Sequence, residues 1–280
     1  MDRDNPIALD LYTAGDGVTD KARLRKLTDL FRPTTVALLE QVDIRPGMSC
    51  LDVGCGTADV TLELARRVGP EGRVVGIDID DARIRDARQE AASQHLPNVE
   101  FRVADIRKER EPAPEFDVVY SRFVLDHLAK PGEAITIMRD MLRPGGVVIA
   151  ECTDYSAWHC FPALPAFDRA MVLQAELRRR IGGYPDIGLR LPALFVEAGL
   201  SDIEIGIFQY MQMTGPLKRW ILMALPKDRT DWMVAVDLAD KEEIDRLIAD
   251  LSNHVDDPRT AMGTPRFMQV WGYRPHGQET

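Results

Sequence analysis

A strand that turns into a helix through two glycines constrains this chain more than any other part of its sequence. The strand is predicted over residues 49–53, the glycines are Gly54 and Gly56, and a helical pattern begins near Val60. Glycine has no Cβ, and the first turn of a helix presents free backbone N–H groups. The turn can therefore hold a ligand with an anionic or hydroxyl-rich part.

The next predicted strand, residues 73–79, carries Asp78 near its end. A carboxylate there can accept two hydrogen bonds from a ribose diol, and it would repel a phosphorylated 2′ position. A dinucleotide-binding turn would read G-x-G-x-x-G, but Asp59 stands where the last glycine belongs. A carboxylate is a poor neighbour for a pyrophosphate, which argues against a nicotinamide-dependent oxidoreductase but leaves that alternative open.

Residues 51–58 read Leu-Asp-Val-Gly-Cys-Gly-Thr-Ala and resemble motif I of class I S-adenosylmethionine-dependent methyltransferases, with Ala58 in place of the usual third glycine. Three further stretches resemble later motifs of that family in the right order: Asp105-Ile106, residues 116–122, and residues 142–147. Residues 267–272 resemble the last strand of bacterial small-molecule methyltransferases. Within the family, the likeness is to the ubiquinone/menaquinone-type and natural-product enzymes.

Strand patterns alternate with helical patterns between residues 46 and 154, which predicts a largely parallel sheet of the α/β class. The resemblance implies a Rossmann-like fold with a seven-stranded, mostly parallel sheet and an antiparallel last strand. We predict four regions: an N-terminal helical lid (1–45), the cofactor-binding core (46–154), an acceptor-binding cap of inserted helices and strand six (155–266), and the last strand and tail (267–280).

The resemblance also implies a cofactor, S-adenosyl-L-methionine, which leaves as S-adenosyl-L-homocysteine. Gly54, Gly56 and Thr57 would hold its methionyl end. Asp78 would bind the ribose, and Asp105 with Ile106 the adenine. The other predicted cofactor-binding residues are Tyr12, Asp52, Ile79, Ala104, Ser121 and His127.

His127, in the loop after the fourth strand, is the first candidate for a general base, with a structural or cofactor-covering role as its alternative. Asp154 and His159 follow the fifth strand at the same rim and are the other catalytic candidates. The predicted acceptor-binding residues are Tyr12, Tyr155, Trp158, His159, Tyr184, Tyr210 and Met213. An aromatic, sulfur-rich wall for an apolar acceptor is predicted from Trp158, Phe161, Tyr184, Tyr210, Met211 and Met213. Arg178, Arg179 and Arg180 are predicted to form a solvated helix face.

The formal net charge of −10 and the lack of a long basic cluster argue against nucleic-acid binding. We expect no metal, because no His, Cys and Asp cluster has ligand spacing. The first residues lack the pattern of a signal peptide, no apolar run is long enough to span a membrane, and the cysteines form no CxxC pair. These features predict a cytoplasmic protein, and the resemblance implies that it acts on a small molecule.

Three questions stay open at the level of sequence. The methylated atom can be carbon, oxygen or nitrogen. A homodimer through the N-terminal helices is one candidate assembly. A cyclase or a scaffold that keeps the cofactor only as a structural element is an alternative to a methyltransferase.

Overall fold

The computed structural model describes residues 31–108, 115–219, 222, 225 and 227–276. Its helices are α1 (31–41), α2 (Asp59–Val68), α3 (Asp81–Ser93), α4 (Pro131–Asp140), α5 (Pro165–Arg180), α6 (Ile187–Glu197), α7 (Lys227–Ala235) and α8 (Lys241–Asp256). Its strands are β1 (Ser49–Val53), β2 (Arg73–Asp78), β3 (Val99–Val103), β4 (Phe116–Arg122), β5 (Leu142–Asp154), β6 (Cys160–Phe161), β7 (Ser201–Phe208), β8 (Met211–Gln212), β9 (Ala261–Gly263) and β10 (Arg266–Tyr273).

Seven of these strands form one sheet in the order β3-β2-β1-β4-β5-β10-β7. All neighbours pair in parallel except β10, which runs antiparallel to both β5 and β7. The predicted mostly parallel sheet with an antiparallel last strand is therefore confirmed. The strand order reverses between β1 and β4, and ligands of open α/β sheets bind at the carboxyl ends of strands beside such a reversal.

Strands β1, β4 and β5 are apolar along most of their length because helices cover both faces of the sheet. One face packs against α4 and α6, with Ile135, Leu191 and Phe195 fully buried. The other packs against α1 and α2, with Leu39 and Leu64 fully buried. The two buried layers fix the carboxyl ends of β1, β2 and β4 in space.

Strand β5 starts with an irregular stretch. The Arg143-Pro144-Gly145-Gly146 segment, whose composition is typical of a turn, lies within Leu142–Asp154. The pairing register with β4 jumps there, since Phe116 pairs with Leu142 and Val118 with Val147. Gly145 has φ +81°, which explains why glycine stands in this irregular stretch.

Part of the chain after β5 forms a cap with its own core, whereas α6, β7 and β10 belong to the main sheet and its cover. Helices α5 and α8 bury Phe167, Leu173 and Leu251 against each other, and a second small sheet of order β6-β9-β8 closes the cap. This small sheet was not predicted. Among the helices described, none combines the length and the apolar character needed to cross a lipid bilayer.

Candidate active site

The turn after β1 is shaped by two glycines with positive φ. Gly54 has φ +71° and Gly56 has φ +51°. A Cβ on Gly54 would lie 2.2 Å from Val124 Cγ2, whereas a Cβ on Gly56 would meet nothing within 4 Å. Gly54 is thus required by close packing under the turn. Gly56 lies beside open space, where a ligand can approach the backbone.

Asp78, at the end of β2, is hydrogen-bonded to this turn. Its Oδ2 accepts the Gly56 N–H at 2.9 Å, and its Oδ1 accepts the Asp80 N–H at 2.9 Å. Burial raises the pKa of Asp78, and these two backbone donors partly offset that effect. A carboxylate offers about four acceptor positions, so two remain for a ribose diol. The ribose-binding role of Asp78 stays a prediction.

Asp52 lies under the turn, where its Oδ2 accepts a hydrogen bond from the Thr61 hydroxyl at 2.6 Å. Burial raises the pKa of Asp52 from 3.8 to about 6, and the bond from Thr61 offsets only part of that effect. Asp59 and Asp78 add negative charge nearby. The Arg122 guanidinium opposes this negative charge, so both signs of charge lie near Asp52.

The loop after β3 lies next to Asp78. The Ala104 N–H donates to the Asp78 carbonyl at 2.9 Å, which ties this loop to β2. Asp105 forms an ion pair with Arg107 at 2.7 Å, and Ile106 is buried. Asp105 thus already has a guanidinium partner, and its predicted contact with adenine stays a prediction. Ile79 is half-buried at the end of β2.

The turn after β4 brings together residues that are far apart in the sequence. Arg178 Nη1 contacts His127 Nδ1 at 2.7 Å, and Arg178 Nη2 lies 3.5 Å from Asp126 Oδ2. Burial and the Arg178 guanidinium lower the pKa of His127 to about 3, against a smaller opposing effect of Asp126. His127 is therefore neutral at physiological pH and a weak base. Ser121, at the end of β4, is buried.

Arg178 was missed as a site residue, and its prediction as part of a solvated face is wrong. It is 5% exposed, whereas Arg179 and Arg180 are exposed as predicted. The helical spacing of Phe167, Gln174 and Arg178 could have indicated that Arg178 is buried, because all three lie on the buried side of α5.

Two predicted acceptor-binding residues join this cluster. The Arg178 guanidinium lies 5.9 Å from the centre of the Tyr155 ring, and the Trp158 ring centre lies 5.8 Å from that of Tyr155. Tyr184 lies beside the turn after β4, since its backbone N–H donates to the Asp126 carbonyl at 3.3 Å. The structure thus groups three of the predicted acceptor-binding residues near this turn.

Other predicted residues lie differently. The Asp154 carboxylate is fully buried. It accepts hydrogen bonds from the Ser156 backbone N–H at 2.9 Å and from Arg266 Nε at 2.9 Å. His159 and Met213 are exposed, and Tyr210 packs 5.7 Å from Phe208 near the last strand. Their catalytic and acceptor-binding roles stay predictions. Tyr12 and most of the predicted lid lie outside the described residues.

The chain resembles known proteins over the same region. A family model described as a methyltransferase domain matches residues 44–177. Nocamycin O-methyltransferase from Saccharothrix syringae is 47% identical over 91 residues, which cover 32% of each chain. A ubiquinone/menaquinone biosynthesis C-methyltransferase from Pseudomonas paraeruginosa is 31% identical over 191 residues, covering 63% of this chain and 72% of that protein. The chain belongs to the class I S-adenosylmethionine-dependent methyltransferase family.

Solved structures share the fold. A phosphoethanolamine N-methyltransferase from Haemonchus contortus, in complex with phosphomonomethylethanolamine and S-adenosylhomocysteine, gives a TM-score of 0.57 at 17% identity, covering 87% of this chain and 53% of that chain. The 4+2 cyclase SpnF gives 0.53 at 18% identity, covering 90% and 81%. Both likenesses concern the fold alone.

S-adenosylmethionine is the cofactor of this methyltransferase family, and the residues present fit it. The open space at Gly56 admits a ligand, the Asp78 carboxylate has acceptor positions left for a diol, and Asp52 adds negative charge for a sulfonium or ammonium group. The chain spans about half or less of the first curated relatives it matches, 49% of an uncharacterized protein from Streptomyces fradiae and 32% of the nocamycin enzyme.

Proposed function

We propose that this methyltransferase methylates a carbon, oxygen or nitrogen atom of a small molecule, in secondary metabolism. The observation that carries the proposal is the polar cluster of Arg178, Asp126 and Tyr155, which joins the cap to the turn after β4 and in which Arg178 and Asp126 are buried. Polar groups in that position suit a small acceptor enclosed by the protein. The relatives named for nocamycin and for ubiquinone or menaquinone biosynthesis support the same class of acceptor.

When bound, the cofactor supplies an electrophilic methyl group on a sulfonium. The protein needs to contribute alignment and exclusion of water rather than covalent chemistry. Holding reacting atoms about 3–3.5 Å apart and in line can lower a barrier by roughly 7–11 kcal/mol. In this proposal Gly54, Gly56 and Asp78 position the cofactor, and the cap orients the acceptor.

The three catalytic candidates differ in the role that we propose for them. His127 touches the buried cluster and is neutral, so we assign it a hydrogen bond to the acceptor rather than removal of a proton. Asp154 is committed to Arg266, and His159 is exposed, so neither carries a step of the proposal.

Transfer of a labelled methyl group tests the proposal. The protein is incubated with methyl-labelled S-adenosylmethionine and a panel of small phenols, enols, carboxylic acids and amines, with Asp78→Ala as the control variant. The proposal predicts label in at least one organic product from the wild type and none from the variant. Cofactor binding without transfer to any acceptor, together with rearrangement of an unlabelled substrate, would favour the cyclase alternative.

A further inference from the structure

We propose that Arg178, Tyr155 and Trp158 form a subsite for an acidic group of the acceptor, a carboxylate or an enolate. This inference rests on the proposed function, because it names the chemical class of the molecule to be methylated. It is carried by three features of the cap: a buried guanidinium, its contacts with neutral side chains, and a buried N–H donor that lacks a partner.

The first feature is the position of Arg178. It lies near the C-terminal end of α5, is almost fully buried, and points at the turn after β4 rather than at solvent. Its guanidinium donates to His127 Nδ1 at 2.7 Å and to the Tyr155 hydroxyl at 3.4 Å. Two of its contacts are therefore with neutral groups, and its ion pair with Asp126 is long at 3.5 Å. A planar guanidinium in such a place is suited to a second carboxylate or an enolate.

The second feature is the charge surrounding these neutral side chains. Arg229 lies on α7, where its Nη1 is 3.5 Å from Gln174 Oε1 on the same side of α5 as Arg178. Burial alone raises the pKa of Tyr155, yet Arg178 and Arg229 together bring it below its usual value despite Asp126. The same two guanidiniums help to lower the pKa of His127. Two side chains thus experience a positive potential, which stabilises an anion.

The third feature is a set of buried polar atoms without a hydrogen bond. Within the described part of the chain these atoms are Trp158 Nε1, Asp126 Oδ1 and Ser121 Oγ. Buried donors and acceptors nearly always have partners in folded proteins, so a ligand group is a physical explanation for the first two. An anionic oxygen can accept from the indole N–H. A hydroxyl or N–H next to the acidic group can donate to Asp126.

The experiment follows the indole N–H of Trp158 by NMR in full-length protein saturated with S-adenosylhomocysteine. Trp158→Phe removes the indole N–H and so assigns the resonance, and it keeps an aromatic ring beside Tyr155 and Phe167. The probes are benzoate and 1,3-cyclohexanedione, which are acidic, and benzamide and cyclohexanone, which are their neutral counterparts. We expect a saturable shift of the Trp158 resonance with the acids, and a response at least tenfold weaker with the neutral probes.

The matched variants are Arg178→Gln and Arg179→Gln, which remove neighbouring guanidiniums of α5, the first buried and the second exposed. The first should weaken the response to the acids at least tenfold, and the second should leave it unchanged. Arg178→Lys keeps the positive charge and replaces Arg178→Gln in the titration if the Gln variant does not fold. It should retain part of the response.

Equal responses to acids and neutral probes, or no response to any probe, would overturn the subsite. A response that survives Arg178→Gln would overturn the role of Arg178. The proposed function fails separately, through absence of labelled methyl transfer to the whole acceptor panel while the probes still bind.

Discussion

The two sides of the site carry opposite charge. On the glycine-turn side, Asp52 and Asp78 are buried carboxylates at the ends of parallel strands. On the cap side, Arg178 is buried and Arg229 adds to the positive potential at Tyr155. A cationic cofactor and an acidic acceptor would each find a complementary surface, and binding in the reverse arrangement would be penalised. We therefore expect this charge pattern to favour the cofactor at the glycine turn and an acidic acceptor at the cap.

The two sides also differ in how they are built. The Asp78 carboxylate is fixed by its own strand end and by Gly56, across one β-α-β unit. Arg178 reaches a turn 51 residues earlier in the chain. The first side depends on local geometry and the second on how the cap packs, so substitutions should act differently on the two.

The largest expected effect is that of Gly54→Ala, on the cofactor side. Its positive φ and a Cβ placed 2.2 Å from Val124 Cγ2 should together cost about 2–6 kcal/mol of folding free energy and displace the turn that binds the cofactor. We expect a much lower melting temperature and no measurable binding of S-adenosylhomocysteine. Gly47→Ala is the control, since Gly47 has φ +85° but open space around its Cβ. Equal effects of the two substitutions would contradict the role of the Val124 contact.

The next effect is on the cap side. Arg178→Gln leaves the buried Asp126 carboxylate without its ion-pair partner, which should reduce the free energy of unfolding by about 3–5 kcal/mol. Denaturant unfolding measures this loss. The exposed neighbour supplies the comparison, because Arg179→Gln should change stability by less than about 0.5 kcal/mol. Similar losses in both variants would mean that the ion pair of Arg178 and Asp126 does not stabilise the folded protein.

A pH-dependent effect is expected from Asp52. Its pKa is raised to about 6 in the folded protein from 3.8, so folding favours its protonated form. That stabilisation is present below about pH 4 and is lost as the pH rises through about 6. Asp52→Asn should therefore be more stable than the wild type at pH 8, by up to about 3 kcal/mol, but not at pH 4. Thermal unfolding at the two pH values measures the difference, and an equal gain at both would refute the shift.

The smallest expected effect concerns His127. Because its pKa is lowered to about 3, it should not titrate between pH 5 and pH 8. NMR of the histidine ring protons, with His127→Gln to assign them, should show constant shifts for this residue across that range. A midpoint near 6.5 would show that the cap does not create the positive potential inferred from Arg178.

Most of the cofactor side could be predicted from the sequence, because strand, glycine turn and helix follow one another within one β-α-β unit. Gly54, Gly56 and Asp78 lie where that pattern indicates. Asp154 shows the limit of such reasoning. It ends a strand at the right rim, but its partner Arg266 lies 112 residues away, and no local pattern reveals that ion pair.

The cap could be predicted only in outline. The helical patterns of α5 and α8 are visible, but burial of Arg178 depends on the packing of α5 against the turn after β4. A run of three arginines reads as a solvated face unless the apolar side of the helix is followed to its end. Phe167, Met171 and Gln174 mark that side, and Arg178 continues it.

Calorimetric titration with S-adenosylhomocysteine tests the central claim, that the cofactor lies on the carboxylate side and the acceptor on the guanidinium side. Asp78→Ala removes hydrogen bonds of roughly 1.5–3 kcal/mol each and should weaken binding about a hundredfold or more, whereas Arg178→Gln should leave it nearly unchanged. Asp117→Ala is the control, because Asp117 also accepts a backbone N–H, from Ser49, but near the start of β4. Unchanged affinity in Asp78→Ala, or equal losses in the Asp78 and Arg178 variants, would contradict the account.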